Sequence, residues 1–483
     1  MHAEPDPRRW KALAVLVTAF FMVILDASIV IVGLPTIQAD LGFSEQDLQW
    51  VLSAYALTFG GLLLLGGRAS DLLGRKRLFL IGTALFTLAS LLCGLAWSDT
   101  SLVGFRAFQG VAAAIMTPTA LAILMNLFKE GAERNKALGI WGSFGGVGAT
   151  AGWLIGGPLT DGLGWEWLFF INIPVGLTVL AVAPRLLTES RDSDRVRNFD
   201  LPGAVTITAA LTVLVYAVVE APDVGWGDIQ TIGLLAASLA LMAVFAAIES
   251  RAKAPLVPLS TFRNRTLVGG NATMLFLGMA AFGGPFILTL YAQQVLGYSA
   301  VKFGLTSLVF PIMAAIGSVT GQAIVTRTGP RPIAAGGMAL VFVGSLVWSF
   351  VSVDGTYFGD IFFGLFFFGL GLGATFVASS IAALTGVKEG DAGLASGLNN
   401  TAFQIGGALG VAILSTIAVT RTEDLLASGS GDQLFALTEG FQLAFIGAIV
   451  IAVLGVLVAL FTLGRRRAEA APAVRPEPVP ATG

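Results

Sequence analysis

An all-α membrane protein with fourteen spanning helices is the fold class this sequence predicts, on three observations. Of 483 residues, 55% are apolar and only 12% charged, against about 25% charged in an average soluble domain, so there is too little polar surface to cover a soluble chain of this length. Apolar stretches of about the 20 residues needed to cross a bilayer recur fourteen times. The basic residues also sort by the alternation those stretches impose. With the N-terminal end cytoplasmic, 25 of the 28 Lys and Arg fall on cytoplasmic segments, Lys302 and Arg421 fall on the other side, and Arg106 falls inside a helix. A wrong span count would scramble that asymmetry.

The first stretch, 12–36, follows Arg8, Arg9 and Lys11. It is too long for a signal-peptide core and no A-x-A-like site follows, so it reads as an uncleaved first helix. Helices 2 to 6 are expected over 48–67, 78–98, 101–125, 137–158 and 168–187, and helices 7 and 8 over 201–221 and 229–249. Helices 9 to 14 are expected over 267–290, 303–324, 332–353, 358–385, 396–419 and 441–463. Arg465, Arg466 and Arg467 and an Ala/Pro-rich tail follow, expected to be disordered.

An internal repeat organises the series. GVAAAIMTPTALAILMNLFKEG from Gly110 and GLGLGATFVASSIAALTGVKEG from Gly369 both end in Lys-Glu-Gly, at an offset of 259 residues. The same offset lays helix 1 on helix 9 and helix 5 on helix 13. The expected organisation is therefore a six-helix bundle over 1–187, two additional helices with linkers over 188–266, a second six-helix bundle over 267–463 and a cytoplasmic tail over 464–483. Two related membrane halves imply a transporter with its site at their interface.

Composition excludes other classes. A formal charge of −2 offers no basic excess for nucleic acid, and one cysteine, Cys93, no disulfide framework. One histidine, His2, rules out a histidine-built metal site, a Ser-His-Asp triad and a histidine-ligated haem. No acid or histidine cluster marks one membrane face, so no enzyme is expected, and no metal or cofactor.

What remains inside the bilayer is the candidate chemistry. Asp26 lies in helix 1 among Val23, Ile24, Leu25, Ile29 and Val30. An ionised carboxylate there is costly unless paired or hydrated, which suits a proton carrier; the alternative is a buried structural hydrogen bonder. Arg106 in helix 4 is roughly 8–9 Å deep and Asp26 roughly 15 Å. The two are within reach of each other or of one shared cavity, as a protonation switch or as a static ion pair.

Between helices 2 and 3 the spacing of Gly67, Asp71, Gly74 and Arg75 suits a tight turn, with Asp71 able to accept from backbone amides at a helix N-terminus or to pair with an arginine. Gly148, Gly152 and Gly156 share one face of helix 5 and imply close helix contact. Asn400 and Gln404 of helix 13 occupy the repeat positions of Trp141 and Gly145. With Tyr55 of helix 2, Trp141, Asn400 and Gln404 are candidates for lining a substrate cavity, and equally for packing or interhelical hydrogen bonding.

These residues resemble the major facilitator superfamily, and more narrowly the fourteen-helix drug/proton antiporters of the EmrB/QacA type. LDASIVIVGLP (25–35), GRASDLLGRKR (67–77), RAFQG (106–110), WLFFINIPVG (167–176) and YAQQVLGYSAVKFG (291–304) each resemble a family segment. The resemblance implies the major facilitator fold and proton-driven export of drug-like or metabolite molecules by alternating access. It implies proton coupling at Asp26 and Arg106 and a gating role for Asp71. Gly67, Gly74, Arg75, Gly152 and Gly156 are counted with Asp71 as gating positions.

The chain departs from the family in three places. Gly-Pro-x-x-Gly-Gly of helix 5 reads Gly152-Trp153-Leu154-Ile155-Gly156-Gly157 here, the family's Trp-Arg-Trp reads Trp165-Glu166-Trp167, and helices 9 to 11, 13 and 14 as drawn contain no Asp or Glu. Few carboxylates remain for a dication, so neutral, monocationic or anionic substrates fit better. The expected partners are a small-molecule substrate, protons and membrane lipid, with the proton gradient as energy source and the chain a monomer in the cell membrane, both ends cytoplasmic. The alternatives are an uptake symporter or facilitator of the same fold and, remotely, a proton-pump subunit, which needs mid-membrane lysines that this chain lacks.

Overall fold

The computed structural model of this chain describes residues 8–128, 132–190, 200–252, 255, 264–385, 392–429 and 432–463. The expected tail and both Lys-Glu-Gly ends of the repeat lie outside the described residues. Fourteen long helices run in sequence: α1 (Arg9–Leu41), α2 (Trp50–Leu73), α3 (Arg75–Gly94), α4 (Asp99–Leu127), α5 (Ala132–Leu163), α6 (Asn172–Leu186) after a turn at Trp167–Phe170, α7 (Leu201–Val224), α8 (Ile229–Arg251), α9 (Arg265–Leu290), α10 (Val309–Thr328) after a turn at Ala300–Thr306, α11 (Pro330–Trp348), α12 (Phe362–Leu384), α13 (Ala392–Ala427) and α14 (Gln433–Thr462). Among the described residues thirteen spans are long and apolar enough to cross a membrane. The helix that falls short by that measure is α5, whose glycines dilute its apolar content; it is nonetheless a 32-residue helix packed along α1.

Helix ends follow local chemistry. Ser98 and Ser101 form a capping box at the start of α4, and Asp200, Asp228, Asn264 and Asp432 accept from first-turn amides of α7, α8, α9 and α14. Gly74 separates α2 from α3 at φ 107°, a conformation that an L side chain resists.

The helices outrun their apolar stretches. α1 has 33 residues, about 50 Å, against a hydrocarbon core of about 30 Å. As a result α13 carries Glu423 and Asp424, and α14 carries Glu439, at ends that the sequence assigned to loops. Helices 13 and 14 therefore do contain acids, beyond the expected spans. Helix 10 is interrupted at Ser307–Leu308, and π turns extend α9 (Tyr291–Val295) and precede α12 (Tyr357–Ile361).

Small residues set the closest helix contacts. Gly148, Gly152 and Gly156 all face α1: a β-carbon on Gly152 would strike Ser28 and the Ile29 amide, and those on Gly148 and Gly156 would press on Ile24 and Ile29. The equivalent pair in the second half, α9 and α13, is as close, with Gly406 and Gly410 against the backbones of Leu275 and Met279. In the bilayer, where lipid is as apolar as leucine, such packing is the main association force. Gly152→Val is expected to destabilise the fold by about 1–3 kcal/mol or more; thermal unfolding in detergent beside Gly104→Ala, a site with open space around it, checks this.

One face of the bundle, here the near face, gathers Arg9, paired with Glu133 at 2.9 Å, and Lys76, bonded to Pro184 O at 2.8 Å. The opposite, far face gathers Trp165, bonded to Asp40 at 2.8 Å, and Asp161, which accepts from the Val301 amide at 3.0 Å. The largest apolar cluster joins α1 (Ile29, Val32, Leu34) and Trp153 of α5 to α9 (Leu277, Phe286, Leu288) and Phe303. Toward the near face the main clusters are separate, Leu16, Phe79, Leu124 and Val179 in the first six helices and Val325, Ala334, Ala382 and Ala459 in the last six, while a small cluster around Ala204 of α7 gathers Leu64 and Leu65 of α2 with Leu398 of α13. The two groups are thus closed together toward the far face and meet lower down along α2 and α13, where Thr401 Oγ1 donates to Gly60 O at 3.0 Å. Helix α7 packs on both α2 and α13, while α8 packs mainly on α7.

Candidate functional site

Asp26 of α1 and Arg106 of α4 meet directly, with no cavity between them. Arg106 Nη1 donates to Asp26 Oδ2 at 2.6 Å, and both side chains are 0% exposed. A buried ion pair is costly unless its remaining donors and acceptors are occupied; three more helices supply partners for most of them, and Arg106 Nη2 is left without one. From α2, Val51 O accepts from Arg106 Nε at 2.9 Å, and the Tyr55 ring lies 4.3 Å under the guanidinium. From α4 itself, Gln109 Oε1 accepts from Arg106 Nη1 at 2.6 Å, while its Nε2 donates to Asp26 Oδ1 at 2.8 Å and to Ser90 Oγ of α3 at 2.9 Å. From the start of α6, Asn172 Nδ2 donates to Asp26 Oδ1 at 2.9 Å. Among the described residues the other buried charged side chains are Asp200 and Glu249, each at or near a helix end.

As placed, Asp26 is held by three donors, Arg106 Nη1, Gln109 Nε2 and Asn172 Nδ2. Arg106 is held besides by Val51 O, Gln109 Oε1 and the Tyr55 ring.

Tyr55, a candidate cavity residue, belongs to this ion-pair site. Gln109 and Asn172 lie in the segments RAFQG (106–110) and WLFFINIPVG (167–176) that carry the family resemblance, but neither they nor Ser90 were assigned a role from the sequence.

The other candidates lie apart. Trp141 is buried and stacks on Phe20 of α1 at 4.2 Å. Gln404 packs against Gly60 of α2. Asn400 is exposed and bonds only its own helix, at Ser396 O. Its neighbour Asn399 is the buried member, bonding Asn271 at 3.2 Å and Ser380 at 3.1 Å.

In the α2–α3 connection the Asp71 side chain lies outside the described residues. The first-turn amides of α3 are held by Glu189: Lys76 N donates to Oε1 and Arg77 N to Oε2, each at 3.1 Å. The Arg75 amide donates to Ser190 O at 3.1 Å, and a β-carbon on Gly67 would stand in ordinary contact, 3.5 Å, with the Pro118 ring.

Trp153, which stands where the family motif has proline, is buried against Phe303 at 5.6 Å and Phe310 at 5.8 Å, its carbonyl abutting Gly304. It fills the far-face junction between the two groups of helices. Gln293 and Gln294 of the π turn after α9 reach across the same junction to Val32 O and Gln38, each at 2.9 Å. Glu45, between α1 and α2, faces Glu423 there; burial chiefly, and then the Glu423 charge, push its carboxyl above the usual range.

A family model described as Major Facilitator Superfamily matches residues 16–411. The chain is 38% identical over 457 residues to the puromycin resistance protein pur8 of Streptomyces alboniger, covering 94% of this chain and 90% of that protein. It is 39% identical over 428 residues to the cephamycin export protein CmcT of Amycolatopsis lactamdurans, covering 87% and 88%. Its fold matches the crystal structure of a bacterial homologue of the human lysosomal transporter Spinster, inward-facing and unoccupied, with a TM-score of 0.67 at 16% identity, covering 95% of this chain and 98% of that one.

Proposed function

The chain belongs to the Major Facilitator Superfamily, and on that premise we propose that it is a proton-coupled exporter of antibiotic-like or metabolite small molecules, working by alternating access. The observation that carries the proton coupling is the buried Asp26–Arg106 pair, a carboxylate held beside a cation inside a membrane bundle. The names of the relatives support an antibiotic-like substrate. Closure of the far face, with the main near-face clusters separate, is the arrangement of a transporter open to the near side.

In this reading the near face is cytoplasmic, as the Lys/Arg asymmetry requires, and the cell membrane is the site of action. Residues 1–187 and 267–463 are the two moving halves, and residues 188–266 an accessory pair. The Gly67–Arg75 connection with Asp71 gates the near face, Gly152 and Gly156 hold α5 on α1 as the halves move, and Trp141, Asn400 and Gln404 border the substrate path. The chain functions as a monomer among lipids, without a cofactor.

Everted vesicles energised to an internal acid pH test it. Addition of puromycin, a cephamycin or another panel compound that is a substrate is expected to collapse the pH gradient partly and to be accumulated. A panel that leaves the gradient intact removes the proton-coupled reading. Compounds that acidify the medium as they leave the vesicle interior favour an uptake symporter.

A further inference from the structure

Helix α6 is tied at its two ends to the two places where the proposed cycle needs coordination. At its start, Asn172 donates Nδ2 to Asp26 Oδ1 at 2.9 Å and to Ser90 Oγ at 3.4 Å, while its own Oδ1, fully buried, has no hydrogen-bond partner. Just past its other end, Glu189 holds the first turn of α3 through the Lys76 and Arg77 amides, and Ser190 receives the Arg75 amide and the Asn126 side chain, at 3.1 and 3.2 Å. Between them Gly176 lies so close to Thr87 of α3 that a β-carbon does not fit. One 15-residue helix, about 22 Å long, thus links the ion pair to the α2–α3 connection.

We propose that α6 carries the protonation state of Asp26 to the α2–α3 connection, with Asn172 as the positioning residue that reads the proton and Glu189 as the clamp that delivers it. The inference rests on the proton-coupled reading above. Ionised Asp26 takes the Asn172 amide as a donor. Neutral Asp26 presents a hydroxyl that needs an acceptor, and the unused Asn172 Oδ1 supplies one when the amide turns over. An amide is one of the few uncharged side chains that can serve as strong donor and strong acceptor at one place. The amide turns about its own side-chain bond, so what reaches the helix is the change in the hydrogen bond to Asp26: as that bond is remade it draws or releases the first turn of α6, whose far end grips α3. The titratable groups that face Asp26 are Arg106 from α4, Tyr55 from α2 and Cys93 from α3; Asn172 is the contact from α6.

The test attaches an environment-sensitive fluorophore at Leu73→Cys, an exposed position one residue before Gly74. The full chain in detergent is read as pH is stepped from alkaline to acid. Native Cys93 is buried, and the unsubstituted protein is the blank. The expected result is an emission change that is lost in Asp26→Asn, in Asn172→Leu and in Glu189→Ala, and partly kept in Glu189→Gln, which still accepts one amide. Glu189 is exposed, so its variants fold even where Asn172→Leu does not.

A response that survives in Glu189→Ala overturns the clamp and with it the proposal. So does one that survives in a folded Asn172→Leu, or in Asp26→Asn. Failure of the transport reading is seen separately, as a vesicle panel without proton movement while the emission change still follows Asp26, Asn172 and Glu189.

Discussion

Asp26→Asn is expected to abolish transport driven by a pH gradient while leaving a folded, monodisperse protein. Asparagine keeps the size of the side chain and an oxygen for Arg106, and Val51 O, Gln109 Oε1 and the Tyr55 ring still surround the guanidinium. It cannot take up or release a proton. In proteoliposomes, uphill movement under an imposed pH gradient should fall to the level of empty liposomes, while exchange of substrate for substrate without a gradient should persist. Undiminished uphill transport would place the coupling carboxylate elsewhere.

Arg106→Ala is expected to be the more damaging substitution. It leaves the Asp26 carboxylate buried without its cation, takes the donor from Val51 O and opens a void beneath Tyr55. Breaking a buried pair from one side costs about 3–5 kcal/mol, a large share of a net stability of about 5–15 kcal/mol. The fraction that folds should transport with an altered pH profile. Replacing both partners with apolar residues, as in Asp26→Leu with Arg106→Met, should recover much of the thermal stability in detergent but none of the coupling, because pairs exchanged together leave no buried charge. If Arg106→Ala unfolds at the temperature of the parent with an unchanged pH profile, the pair is neither structural nor coupled.

Asp26 and Arg106 could be read from the sequence because charge inside an apolar stretch is costly wherever the helix sits. The parts played by the three side chains that complete the site could not. Gln109, Asn172 and Ser90 are uncharged, so any one of them is cheap to bury singly, and their meaning comes from converging on one carboxylate from α4, α6 and α3. Glu189 was invisible for a different reason. It lies in a connection, where an acid is unremarkable, and only the fold brings it to the first turn of α3. Trp153 stood out as a departure from the helix 5 motif, but its task at the far-face junction depends on Phe303 and Phe310, about 150 residues later in the chain.

Hydropathy misjudged the acids of helices 13 and 14 because it marks where a helix is apolar. A helix continues into the headgroup region for as long as its backbone hydrogen bonds are worth keeping, which is how Glu423, Asp424 and Glu439 come to ride on α13 and α14.

By itself, then, the sequence determined the number and order of the helices, the repeat that lays α1 on α9 and α5 on α13, and the two charges left inside. Burial of apolar length, exclusion of charge from lipid and the spacing of glycines are local quantities, written residue by residue along the chain. The tertiary structure alone decided which polar groups complete the ion pair, which carboxylate holds the α2–α3 connection and which face is closed. Those depend on helix rotation and depth, and hydrogen bonds between helices fix both only once all the partners are in place.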